Sequence, residues 1–269
     1  MKNMNKNVLE VLQREGYFFK ESAISEIECL RIKDYLENKE SPAKIPFSKV
    51  AWGYGNLIED ENLKSVYENP YIVDICRRAL GDDFEFNHLM INNKAPWIGP
   101  SVEWHQETFN VDTYAPGAIV NDESWKNFLQ CYIALDEHTI ENGCLKIIPS
   151  THKEELPHED MVNENFGHKR RVPCDVMTEI YNKYGLKNIT MNPGDALIFN
   201  HRIVHGSSSN TSPKERKGIV LQARTPFVRN EEVFANETSH RTNFVIEAME
   251  QKVKGLKQKN KYTNFAEKC

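Results

Sequence analysis

The chain has no cysteine pair in CxxC spacing; its six cysteines, at positions 29, 76, 131, 144, 174 and 269, are scattered. That scatter argues against a zinc knuckle or a disulfide framework and reads as reduced, mostly buried thiols of a cytosolic protein. No apolar run approaches the roughly 20 residues a helix needs to cross a bilayer. The opening stretch "MKNMNKNVLEVLQREGYFF" has no continuous apolar segment of the kind a secretory signal requires. Surplus basic charge is missing too, with 34 Lys and Arg against 39 Asp and Glu and a formal net charge of −5. Little is left over to neutralise phosphates, so neither nucleic acid nor a membrane surface is an expected partner. Internal repeats, low-complexity tracts and a convincing linker are absent as well. What remains is a soluble, cytoplasmic globular protein, expected as one domain. Its 269 residues, 39% hydrophobic and 27% charged, suffice for a substantial core. Oligomeric state is not readable from the sequence.

The pattern along the chain changes twice. Residues 1 to about 83 read as helical. Ser25 and Glu28 form a possible capping box that opens a helix with Ile27, Leu30 and Leu36 on roughly one side. "YIVDICRRAL" reads as a second helix stopped by Gly81. From about 84 to 226 come short runs rich in β-branched and aromatic residues: "FEFNHLMINNK", "FLQCYIAL", "CLKIIPS", "DALIFNHRIVHG" and "GIVLQARTPF". Gly, Pro, Asn and Asp separate them, the pattern of a β-sandwich or barrel. The tail, about 240–269, returns to a helical pattern and ends in a basic stretch.

Two segments carry chemistry. In "WHQE", alternation along a strand sends His105 and Glu107 to one face, about 7 Å apart, where an imidazole and a carboxylate can converge on one cation. In "NPGDALIFNHRIVHGSSSN", a Pro-Gly-Asp turn leads into what reads as one buried strand holding His201 and His205. His205 is the better ligand, because the glycine after it permits close approach. Either histidine alone is more often a plain core residue. Together, two histidines and one carboxylate form the facial triad of non-haem Fe(II) oxygenases. Such an iron needs an electron source, and an oxo-acid that chelates it also needs a cation for its far carboxylate. Arg216, eleven residues after His205, suits that role if a hairpin returns it beside His205. Arg224 shares the face but lies about 26 Å further along a strand.

With these elements assembled, the chain resembles the phytanoyl-CoA dioxygenase family of Fe(II)/2-oxoglutarate-dependent oxygenases. "NNKAPW", "WHQE", "ENGCLKIIPSTHK", "GDALIF…VHGSSSN" and the downstream arginine follow the family's order over about 84–226. "REGYFF" followed by a helix also fits the family's N-termini. The resemblance implies a mainly β double-stranded β-helix, a cupin-like jelly roll with flanking helices. It assigns His105, Glu107 and His205 to Fe(II), and Arg216 to the distal carboxylate of 2-oxoglutarate. Ser207, Tyr132 and Asn92 then line the co-substrate pocket, and O2 is the oxidant. One departure is Glu107, where the family more often has Asp; a carboxylate there also argues against the halogenating relatives. The expected reaction is hydroxylation of an unactivated C–H bond of a small molecule, with release of succinate and CO2. A cupin-like binding protein without redox turnover, needing no Arg216, is the alternative. Pocket segments 47–57, 108–117, 158–172 (a candidate lid) and 225–234 mix aromatics with charge, and nothing marks a CoA site.

Overall fold

The computed structural model describes residues 2–38, 57–58, 60–107, 128–160 and 170–225. The expected C-terminal helix lies outside them, as do segment 108–117 and most residues of the other three pocket segments. In chain order the elements are α1 (Lys2–Glu15), β1 (Tyr17–Lys20), α2 (Glu26–Asn38), α3 (Lys64–Tyr67), α4 (Pro70–Leu80), β2 (Glu85–Lys94) and β3 (Val102–His105). Next come β4 (Phe128–Ala134), β5 (Leu145–Ile148), β6 (Glu159–Asp160), β7 (Arg170–Arg171) and α5 (Cys174–Tyr184). The series closes with β8 (Lys187–Ile189), β9 (Ala196–Asn200), β10 (Val204–Ser207) and β11 (Arg216–Arg224). A five-stranded sheet runs β1-β9-β4-β11-β2, a four-stranded sheet β3-β10-β5-β8, and β6 and β7 form a small ribbon. The strand pairs are antiparallel. This is the jelly roll expected from the sequence.

Strand alternation divides the core into three layers. Leu129, Cys131 and Ile133 of β4 point outward and pack with Ile32 of α2 and Ile72 and Ile75 of α4. Tyr132 and Ala134, one step out of phase, point inward to Leu145, Ile147, Leu197 and Phe199, the filling between the sheets. Trp104, Ile148 and Val204 face the other way, onto Met177 and Ile180 of α5. Ile133 is fully buried, so truncating it to Ala would cost about 2–5 kcal/mol.

Several local expectations need correction. Ser25 does cap α2, accepting from the Glu28 N–H at 3.2 Å. The Glu28 carboxylate, however, turns to Arg31, 2.7 Å away, and accepts from the Ser65 hydroxyl. The buried stripe of α2 is Cys29, Ile32 and Leu36, while Ile27 and Leu30 are 80% and 56% exposed. The helix has two apolar stripes, and only the packing partner decides between them. α4 ends at Gly81 as anticipated, with Asn69 as its N-cap. "ALIFNHRIVHG" is not one strand. It breaks at residues 201–203 and continues as β10 in the other sheet. The cause is a side-chain turn at Asn200, whose Oδ1 accepts from the Arg202 N–H at 2.9 Å. For the same reason β10 and β11 form no hairpin, since they belong to facing sheets. Cys29, Cys76, Cys131 and Cys144 are buried free thiols. Cys174, partly exposed at the start of α5, is instead disulfide-bonded. Among the described residues no helix is long and apolar enough to cross a membrane.

Candidate active site

β3 and β10 pair so that His105 lies directly opposite His205. Because Trp104 and Val204 face α5, alternation turns both imidazoles into the sandwich, their ring centroids 4.2 Å apart. Each ring is aimed by the backbone two residues before it. His105 Nδ1 donates to the Glu103 carbonyl at 2.6 Å, and His205 Nδ1 donates to the Ile203 carbonyl at 2.9 Å. A carbonyl only accepts, so both rings hold the tautomer that leaves the Nε2 lone pair pointing inward. Burial, and then the neighbouring His205, push His105 below its ordinary pKa, keeping it neutral and able to ligate.

Glu107 completes the group. Its Oε1 is 3.4 Å from His105 Nε2 and 3.7 Å from His205 Nε2. The three donor atoms lie within 4.8 Å of one another, and all three residues are buried. Glu107 sits just past the end of β3 rather than on it, and its N–H donates to the His201 carbonyl at 2.8 Å. His201 therefore supports the site through its backbone, while its ring turns toward Phe128. Between His105 and Glu107, fully buried Gln106 points the opposite way. It donates to the Arg202 and Glu154 carbonyls at 2.6 and 2.8 Å and accepts from Leu156 N–H at 3.0 Å. The "PST" motif supports the other strand, with the Thr151 hydroxyl accepting from Val204 N–H at 2.9 Å.

Across the interior, on the five-stranded sheet, Arg216 is 1% exposed. Its guanidinium donates to Tyr132 Oη at 2.7 Å, to Asn92 Oδ1 at 3.5 Å and to the Gly143 carbonyl. Two glycines make this possible. Gly143, at φ +76°, ends the "ENG" turn that Asn142 holds by accepting from Thr139 N–H, and it turns its carbonyl to Arg216. Gly218 leaves room for the Tyr132 phenol, since a Cβ there would lie 2.6 Å from its oxygen. Burial raises the Tyr132 pKa even though Arg216 opposes it. The phenol therefore stays neutral and keeps its proton available for an acceptor.

The structure thus brings His105, Glu107 and His205 together, and separately gathers Arg216, Tyr132 and Asn92. Ser207 is buried on the inner face two residues beyond His205, but no hydrogen bond among the described residues joins it to Arg216. Arg224 pairs with Glu85 at the far end of β11. Sequence reasoning missed Gln106, Gly143 and Lys94. Lys94 is buried opposite Arg216, and its Nζ donates to the carbonyls of Pro100, at 2.6 Å, and Ser208. Burial, and then Arg216, hold its pKa well below the usual lysine range. The glutamine within "WHQE" and the glycine of "ENGC" were the available signals.

The phytanoyl-CoA dioxygenase (PhyH) family model matches residues 12–218. The chain belongs to this family. An ectoine dioxygenase of Nocardia farcinica is 27% identical over 163 residues, covering 56% of this chain and 51% of that relative. The Dictyostelium discoideum phytanoyl-CoA dioxygenase domain-containing protein 1 homolog is 24% identical over 213 residues, covering 76% and 65%. This PhyH chain spans about half the length of the ectoine dioxygenases of Nocardia farcinica and Sphingopyxis alaskensis that it matches. Among solved structures, EctD from S. alaskensis with 2-oxoglutarate and 5-hydroxyectoine superimposes with a TM-score of 0.64 at 18% identity, covering 81% of this chain and 74% of that one. EvdO2 from Micromonospora carbonacea var. aurantiaca, complexed with 2-oxoglutarate, also gives 0.64 at 18%, covering 83% and 91%. At that identity the likeness establishes a shared fold.

Proposed function

We propose that this PhyH protein is a non-haem Fe(II)/2-oxoglutarate-dependent dioxygenase that hydroxylates an unactivated C–H bond of a small molecule, releasing succinate and CO2. The observation that carries it is a pairing across one interior: a three-donor His-Glu-His corner on one sheet faces a buried guanidinium on the other. The donor set fits the metal, because two imidazoles and one carboxylate are ligand types that ferrous iron takes, and they would leave positions open for other reactants. His105, Glu107 and His205 would hold it. When bound, Fe(II) and 2-oxoglutarate supply the oxidising chemistry with O2.

The chain's own residues do the rest. Arg216 offers its fork to the distal carboxylate of 2-oxoglutarate, and neutral Tyr132 adds an O–H donor. Asn92 steadies the guanidinium, and Ser207, on the inner face of β10, adds a hydroxyl near the same end. The apolar filling around Leu197 and Phe199 keeps bulk water from the reacting centre. A cupin-like binding protein would need the corner but not a buried arginine whose Nε has no partner among the described residues. The test is anaerobic addition of Fe(II) and then 2-oxoglutarate. A weak visible charge-transfer band is expected, absent in His105→Ala and shifted to much higher 2-oxoglutarate concentration in Arg216→Leu. A folded, iron-loaded protein that develops no band would rule the reading out.

A further inference from the structure

The five-stranded sheet presents a second set of polar side chains to the metal corner, and the anchor does not use it. Gln222 of β11 lies directly opposite His88 of β2 on one side and Gln130 of β4 on the other. Gln130 in turn lies opposite Phe199 of β9. Residues directly opposite one another share a face, so His88, Gln222, Gln130 and Phe199 form one row across four strands. The row's orientation is fixed at one end, where the Phe199 ring packs edge-on to His205 with centroids 5.1 Å apart. All four side chains therefore look toward the His105–Glu107–His205 corner. Arg216 is six residues away along β11, about 20 Å, so the row lies toward the opposite end of the interior from the anchor.

The polar atoms of this row are arranged as a binding surface. Gln130 is only 5% exposed, its carboxamide makes no hydrogen bond with any described residue, and its polar atoms are not among those sealed from solvent, so they open onto the interior. A ligand that sealed them without offering a partner would leave them nothing in exchange for water. Gln222 Oε1 accepts from Asn87 Nδ2 at 2.9 Å, which turns its amino group outward as a donor. Asn87 is in place because β2 bulges there: Gln222 pairs with His88, but the next pair is Ala223 with Phe86. The side chain of His88 is partly buried, makes no hydrogen bond with a described residue, and lies near enough to Glu107 to feel its charge. No arginine or lysine belongs to the row, so it offers hydrogen-bond donors without a fixed positive charge.

We infer that His88, Gln222 and Gln130 recognise the primary substrate, and that this substrate is a small polar molecule presenting a carbonyl, carboxylate or hydroxyl acceptor near the carbon to be oxidised. This rests on the dioxygenase reading, which makes the metal corner the reacting end. An acyl chain in the same place would leave Gln130 buried and unpaired, and a site built to hydrogen-bond rejects partners that cannot reciprocate.

The test needs no knowledge of the substrate. Protein loaded with redox-silent Zn(II) and 2-oxoglutarate is mixed with polar probes (N-acetylproline, 3-hydroxybutyrate, glycerol) and apolar ones (toluene, cyclohexene), and binding is read by saturation-transfer NMR. The wild-type protein is expected to bind polar probes in preference. The near-isosteric Gln130→Met and Gln222→Met variants should weaken them at least tenfold and admit toluene. Their affinity for 2-oxoglutarate should stay within twofold, which also verifies their fold. Wild-type preference for the apolar probes, binding of no polar probe, or unchanged polar binding in both variants would each overturn the inference. Failure of the Zn(II)-loaded wild type to bind 2-oxoglutarate would instead strike the dioxygenase reading, and this inference with it.

Discussion

In the His-Glu-His corner the two imidazoles are aimed by backbone two residues away, at Glu103 and Ile203, and the His201 carbonyl of the neighbouring chain segment holds the Glu107 N–H. The anchor on the facing sheet is organised differently. Arg216 meets Asn92, Tyr132 and Gly143, residues 124, 84 and 73 positions away. The corner thus needs two strands in register and little else, whereas the anchor needs three separate segments packed correctly. Loss at the corner should be chemical, removing a ligand while the fold survives. At the anchor, chemistry and stability should fail together.

The sharpest way to break that contrast is a pair of truncations. His205→Ala is expected to lower 2-oxoglutarate turnover at least ~10³-fold through loss of metal, with stability changed by only about 1 kcal/mol. Arg216→Ala strands the buried Gly143 carbonyl and the Tyr132 phenol, and should cost about 2–4 kcal/mol as well as most of the affinity for 2-oxoglutarate. Urea midpoints beside succinate release decide the matter. If both variants unfold at the same urea concentration, the two regions are not built differently.

A smaller effect tests the anchor's dependence on space. Gly218→Ala would put a methyl 2.6 Å from the Tyr132 oxygen, pushing the phenol off Arg216. The KM for 2-oxoglutarate should rise about fivefold while kcat changes little, since an orienting hydrogen bond of this kind contributes ~1 kcal/mol. Adding Tyr132→Phe, which removes the crowded oxygen, should bring no further loss. A full second loss would mean the two residues act independently.

The corner was largely legible in the sequence because its information is local. "WHQE" alternates, His205 precedes a glycine, and β2, β4, β5 and β11 show as β-branched runs. The path between His201 and His205 was not legible, since "NHRI" contains no glycine or proline. Only the Asn200 side chain, capable of turning the chain on itself, hinted at a corner. His205 joins His105 and Glu107 because the chain changes sheets after Asn200. The facing of Ile27 and Leu30 was undetermined for a related reason, since a helix with two apolar stripes is resolved only by its neighbour. Arg216 was found as a candidate, but the hairpin invoked for it does not exist. The row His88–Gln222–Gln130 had no sequence signature, because it exists only in the register of strands 42 to 134 residues apart.

The mildest expected effect sharpens the contrast by titration. His138 sits behind the anchor, its ring centroid 5.5 Å from that of Tyr132, and its Nε2 donates to the Lys217 carbonyl at 3.0 Å. Burial first, and then the nearby Arg216, push its pKa down from 6.5 to about 3. In the unfolded chain the same imidazole protonates near its ordinary 6.5. The folded state therefore binds fewer protons than the unfolded state between these values, and stability rises with pH across the window. His138 contributes no penalty above about 6.5, and stability drains steadily as the pH falls toward about 3. Urea midpoints between pH 7 and 4 should decline with a slope that includes about one proton from this residue. His138→Asn, which can keep the bond to Lys217 without titrating, should remove that proton from the slope. An unchanged slope would mean the buried imidazole is accommodated in charged form, which a site already holding Arg216 and Lys94 gives it no counter-ion to do.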